Sequence, residues 1–198
     1  MPNWCYTSYA IEGKRREVQS LYSKMNRLEK RKKPLVKNGF GKTWLGCLVT
    51  ELGADWENVY CRGSWDNLQY DGEILTFYTE TAWRPMTEVF NLIKSLYPSL
   101  KIYYAAEDDG CCLYCTNDLE GKHFPDRYKI EAKCETEYFA TLSGLSDYVS
   151  GIVGKEVKTM DELNTAIEEW NEATDDYDNM IYLNEYTIET EDLCLSSN

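Results

Sequence analysis

The chain has 198 residues, of which 43% are hydrophobic and 28% charged, enough apolar material to bury a core and to exclude disorder throughout. No run reaches the roughly 18 apolar residues that a membrane helix needs. The start, Met1-Pro2-Asn3-Trp4-Cys5, has neither the charged nor the apolar region of a signal peptide, so a cytoplasmic protein with no membrane association is expected.

Residues 4–11 read as an aromatic-rich strand closed by Gly13. Residues 14–33 read as a helix: Val18, Leu21, Met25 and Leu28 recur at three- and four-residue intervals, Lys24, Arg27 and Arg31 lie off that stripe, and Pro34 ends it. An irregular insertion follows over 34–58, with a short helix at 43–52. Segments 59–68 and 74–81 form a hairpin across Tyr70-Asp71-Gly72, where Asp-Gly supplies the positive backbone angles of a tight turn. Pro85 suits a helix's first position, because its missing N–H has no partner there anyway. Val89, Phe90, Ile93 and Leu96 give that helix one apolar stripe, and Tyr97-Pro98 stops it.

Leu100, Ile102 and Tyr104 resume the period of two that a strand requires. After a turn at Glu107-Asp108-Asp109-Gly110, residues 111–116 read as another strand and 117–127 as a loop. Tyr128, Ile130, Ala132 and Cys134 alternate with Lys129, Glu131, Lys133 and Glu135, a half-exposed strand whose charged face discourages edge-to-edge aggregation. Leu142, Leu145, Val149 and Ile152 share a helical face. Thr159 with Glu162 forms a capping box that opens a helix through Leu163, Ala166, Ile167 and Trp170. Residues 180–188 read as a last strand, before a frayed acidic tail.

Strand, helix, strand, strand, helix, strand is the order of a ferredoxin-like βαββαβ fold of the α+β class. Right-handed crossovers place both helices on one face of its antiparallel sheet. The expected domain spans 1–135, with the insertion at 34–58. Residues 136–198 add a dependent acidic α/β extension packed on it, beside the extra strands. The sheet's other face carries Thr76, Tyr78, Tyr103 and Glu107, and is expected to be covered by that extension or else used for binding.

Several of these residues carry a resemblance. The start Met-Pro-Asn-Trp-Cys, the segment Arg62-Gly-Ser-Trp65-Asp66, the run Phe77-Tyr-Thr-Glu-Thr-Ala-Trp-Arg-Pro85, and Tyr97-Pro98 followed by Tyr104 and Glu107 to Gly110 resemble the YubB-type ferredoxin-like domain. Its members occur on bacterial plasmids, phages and other mobile elements and are largely of unknown function. The likeness is scattered over residues 1–116 and implies the fold and a mobile-element origin. It brings no catalytic residues, and the acidic region after 136 departs from the pattern.

Familiar chemical motifs are incomplete. Gly39-Phe-Gly41-Lys42-Thr43 has Val36 where a phosphate loop needs glycine, and a helix precedes it where a strand is required. Cys111-Cys112-x-x-Cys115 has no second ligand pair, and His123 is the lone imidazole; small buried, reduced thiols are expected. Asp176-x-Asp178 lacks the glycine of a calcium loop and has Thr187 at the twelfth position. No Ser/His or Cys/His pair surrounds His123. No catalytic set, metal or cofactor is therefore expected.

One cluster stands out. Trp65 lies on one hairpin strand, Glu80, Trp83 and Arg84 lie at the end of its partner, and Glu107 follows the next strand. Their strand ends can meet at one rim, either as a corner plugged by Trp83 or as a site for a small ligand or peptide. Charge is uneven as well: +8 over residues 1–42 against −21 over the remainder. Together these make a binding protein of a mobile element, engaging another protein, the leading expectation. Two alternatives stand beside it. In one, nucleic acid is bound through Tyr78, Tyr103 and the basic stretch Lys24, Arg27 and 30–33. In the other, residues 156–192, with thirteen acids against Lys158, imitate nucleic acid and so inhibit a host DNA-binding enzyme.

Overall fold

The computed structural model describes residues 3–190 and has an α+β fold. It divides into two compact units, one of residues up to Asp118 together with Glu189, the other Leu119–Ile188. Strand 128–132, placed by the sequence reading in the first domain, lies in the second unit. Among the described residues, no helix is long and apolar enough to cross a membrane.

The first unit is built on β1 (Trp4–Glu12), β2 (Gly63–Tyr70), β3 (Leu75–Ala82), β4 (Lys101–Asp108) and β5 (Leu113–Thr116), with helices α1 (Arg15–Glu29), α2 (Leu45–Glu51) and α3 (Thr87–Leu96). Its strands lie in the order β2-β3-β1-β4-β5, every neighbouring pair antiparallel. Cys5, Thr7, Tyr9 and Ile11 of β1 are buried while Trp4 and Tyr6 are exposed, because successive side chains leave a strand on opposite faces. Cys5, Tyr9 and Ile11 share one core with Leu75, Phe77, Ile102 and Tyr104, with Val18, Leu21, Met25 and Leu28 of α1, and with Val89, Phe90 and Ile93 of α3. Helices thus cover that face of the sheet.

α1 stops at Glu29, four residues short of the expected end. Its apolar stripe runs out at Leu28, and four consecutive cations, Lys30 to Lys33, gain nothing from further helix. At the entry, Gly13 has φ 154° and a Cβ there would come within 2.5 Å of the Ser99 carbonyl oxygen. Pro85 precedes the cap residue Met86 and does not occupy α3's first turn. Leu96, expected on the buried stripe, is 46% exposed. The hairpin turn uses Asp71 through its side chain, which accepts from the Glu73 and Ile74 amides at 2.8 Å, while Gly72 alone takes the positive φ (105°). Beyond it, the β2–β3 register shifts between Asp66 and Gln69 at a bulge where Asn67 has φ 52°. The outer edge of β2 is occupied: the Trp65 amide donates to the Thr43 carbonyl at 3.0 Å, and Trp44 bridges Ser64.

The second unit has β6 (Tyr128–Ala132), β7 (Glu135–Phe139), α4 (Leu142–Val153), α5 (Met160–Glu172) and β8 (Ile181–Glu185), with strand order β7-β6-β8. Its own core gathers Ile130, Leu145, Val149, Val157, Leu163, Ala166, Ile167 and Ile181. The sequence-expected single strand through Glu135 is instead a hairpin, turning at Lys133 and Cys134 with φ 53° and 63°. Two positive angles make the two-residue turn that matches strand twist, here without the usual glycine. Cys134 is consequently exposed. Lys129, expected on a solvated face, is buried and pairs with Glu131 at 3.1 Å. The capping box at Thr159 and Glu162 is present.

Candidate binding surface on the open sheet face

Opposite the helices, the first sheet presents the alternate residues of β1 to β4. Strand register sets them in rows. In one row Ser64 faces Glu80, Glu80 faces Tyr6, and Tyr6 faces Glu107. In the next, Asp66 faces Tyr78, Tyr78 faces Ser8, and Ser8 faces Ala105. Directly paired side chains of this kind stand about 4.5–5.5 Å apart at Cβ. Tyr6 is 60% exposed and Tyr78 51%, and Glu80 and Asp66 are exposed beside them. The first unit itself leaves these residues open to solvent.

The tyrosine and the glutamate interact. The Tyr6 hydroxyl donates to Glu80 Oε1 at 3.3 Å, and the Glu80 charge, followed by slight desolvation and that hydrogen bond, raises the Tyr6 pKa above its ordinary value; Asp109 adds to the effect. A phenolate beside these carboxylates is disfavoured, so the neutral phenol persists further into alkali. Glu80→Gln is expected to lower the Tyr6 pKa toward that of an ordinary tyrosine, read from the ring-carbon shift in an NMR titration. An unchanged midpoint would mean that Glu80 is not the source.

The five residues singled out in the sequence separate into three places. Glu80 and Glu107 flank Tyr6 on the open face. Trp65 does not join them: it is 1% exposed on the helix-covered side, its Nε1 donating to Glu29 Oε1 at 3.0 Å. Trp83 and Arg84 make the corner after β3. There Trp83 is 46% exposed rather than a core plug; its φ is 71°, with its amide donating to the Asn3 carbonyl at 3.0 Å. Arg84 pairs with Glu88 at 2.6 Å and lies 5.2 Å from the centroid of the Tyr60 ring. Tyr6 and Trp4 were not picked out in the sequence. Aromatics occupy both parities of that strand, and only pairing decides which parity faces water.

The described cysteines are spread over several parts of the chain. Cys111 and Cys112 are exposed in a turn before β5, not buried on a strand; Cys115 is buried. The seven described cysteines are free thiols. Burial raises the Cys5 pKa and pushes Cys61 up to about 11, so neither is poised as a thiolate. Among the described residues, no group of three or more His, Cys, Asp or Glu side chains could hold a metal ion.

Comparison of the chain with protein-family models finds no match, and comparisons with curated proteins and with solved structures find none.

Proposed function

We infer that this is a binding protein of a bacterial mobile element, whose open sheet face engages another protein. The observation that carries the reading is the exposure of Trp4, Tyr6 and Tyr78 together on the neighbouring strands β1 and β3. Aromatic side chains hold most of the energy of protein interfaces, and a row of them in water marks a contact surface. We read the first unit as a ferredoxin-like domain of the YubB type. Support comes from the order β2-β3-β1-β4 with α1 and α3 in the two crossovers and from Trp83 and Pro85 lying at one structured corner.

Nucleic acid fits the same face poorly. Bases would stack on Tyr6 and Tyr78, but the phosphates would approach Asp66, Glu80 and Glu107. The basic stretch is also partly committed within the fold: Arg27 pairs with Glu51, and Lys24 donates to the Glu51 carbonyl at 3.2 Å.

The test is a comparative pull-down from host cells with wild type, with Tyr6→Ser/Tyr78→Ser, and with Arg15→Glu on the helix side. The face variant is expected to lose its partner by about tenfold or more, while Arg15→Glu retains it. The tyrosine substitutions remove cross-strand contacts worth about 0.2–1 kcal/mol each and should leave the fold intact, which circular dichroism checks. Partner retained at wild-type level by the face variant would overturn the reading.

A further inference from the structure

The register says what kind of segment fits. On this face, Tyr6 and Tyr78 each have a carboxylate as a direct cross-strand neighbour: Glu80 and Glu107 on either side of Tyr6, and Asp66 beside Tyr78. Tyr6 and Tyr78 are diagonal neighbours on adjacent strands, because Tyr6 pairs with Glu80 and Tyr78 with Ser8, which sets them about 7–8 Å apart. Along the open-face positions of β1 to β4 there are four carboxylates, Glu12, Asp66, Glu80 and Glu107, against Lys101. Lys101 lies opposite Glu12 at one end, and Arg62 lies just before β2, its carbonyl accepting from the Ala82 amide, at the other. The middle of the face is therefore aromatic and negative.

A ring with a carboxylate at its edge suits a guanidinium or ammonium group. The cation lies over the negative face of the ring while its N–H groups donate to the carboxylate. Alternate residues of an extended chain point the same way and are about 6.6–7 Å apart, close to the separation of the two tyrosines. Resting on the reading that this face binds a protein, we propose that its occupant is an extended segment of a basic partner protein, with arginine or lysine side chains two residues apart, one seated at Tyr6 between Glu80 and Glu107 and the next at Tyr78 beside Asp66. The chain's net charge of −13 draws such a partner in from solution.

Titrating the full chain with four probes tests the assignment by calorimetry and by amide shifts on β1 and β3. The probes are a synthetic peptide carrying Arg-Ser-Arg, the same peptide with Glu for Arg, one with the two arginines four residues apart, and a twelve-nucleotide single-stranded RNA. The Arg-Ser-Arg peptide is expected to shift the Tyr6 and Tyr78 amides and to bind severalfold more tightly than the four-residue spacing. It should weaken by about tenfold in Glu80→Gln/Glu107→Gln and fall off between 50 and 200 mM salt, as exposed pairs do. The Glu peptide and the RNA should leave those amides unmoved. Equal shifts from the Glu peptide or the RNA would overturn the cationic assignment while leaving the face as a contact surface. Silence from all four probes would overturn the assignment as well, and the Tyr6→Ser/Tyr78→Ser pull-down then decides separately whether the face binds a protein at all. Arg-Ser-Arg binding that shifts only amides elsewhere would likewise overturn the assignment and leave the face to the pull-down.

Discussion

Trp65→Ala should cost the first unit about 3–5 kcal/mol, the range for truncating a buried aromatic residue. The indole is 1% exposed within the core that α1 shares with the sheet, so its removal leaves a cavity among groups already packed. It also removes the donor to Glu29 Oε1, leaving a carboxylate at the end of α1 without that partner; a hydrogen bond to a charged group is worth about 1.5–3 kcal/mol. Trp65→Phe, which keeps most of the volume and loses the N–H, should fall between the two. Urea unfolding of both variants gives the numbers. Trp83→Ala is the contrast: its side chain is about half exposed, so its truncation removes far less buried apolar area and should cost clearly less than Trp65→Ala. If Trp65→Ala unfolded at the wild-type midpoint, the assignment of Trp65 to the core would be wrong.

Leu163→Ala is expected to act on the second unit alone. Leu163 is 0% exposed in a core whose buried residues are distinct from those of the first, and Leu→Ala in such a place costs about 2–5 kcal/mol. A unit of about 70 residues has only about 3.5–10 kcal/mol to lose at ordinary stability per residue. Hydrogen exchange should therefore accelerate across residues 119–188, with the slow amides of β1, β3 and β4 unaffected. Uniform acceleration over both units would show that they unfold as one cooperative body.

Much of the architecture was legible because periodicity reports burial directly. Val18, Leu21, Met25 and Leu28 are buried where a helical stripe puts them, and Asp71-Gly72 turns the chain where its chemistry allows. What sequence could not give depends on partners far along the chain. The turn at Lys133 and Cys134 carries no glycine or asparagine, so the alternation ran straight through it. The end of α1 was misplaced because its cations are good helix formers individually, and only their lack of buried contact stops the helix. The candidate cluster suffered in the same way. Trp65 and Glu80 look adjacent at the ends of one hairpin, yet Trp65 pairs with Thr79 while Glu80 pairs with Ser64, which sends the two side chains to opposite faces. Tyr6 emerged only when β3 and β4 were set on either side of β1.

Finally, the kinked and bridged flank of β2 limits how any ligand can be held. With the Trp65 amide taken by Thr43 and the strand thrown out of step at Asn67, an incoming chain cannot extend the sheet there by main-chain pairing. A ligand on the open face would then be gripped through its side chains, lying across the strands instead of joining them as one more. Selectivity of that kind follows the chemical identity of individual residues, so one substitution in either molecule can retune it without disturbing the scaffold.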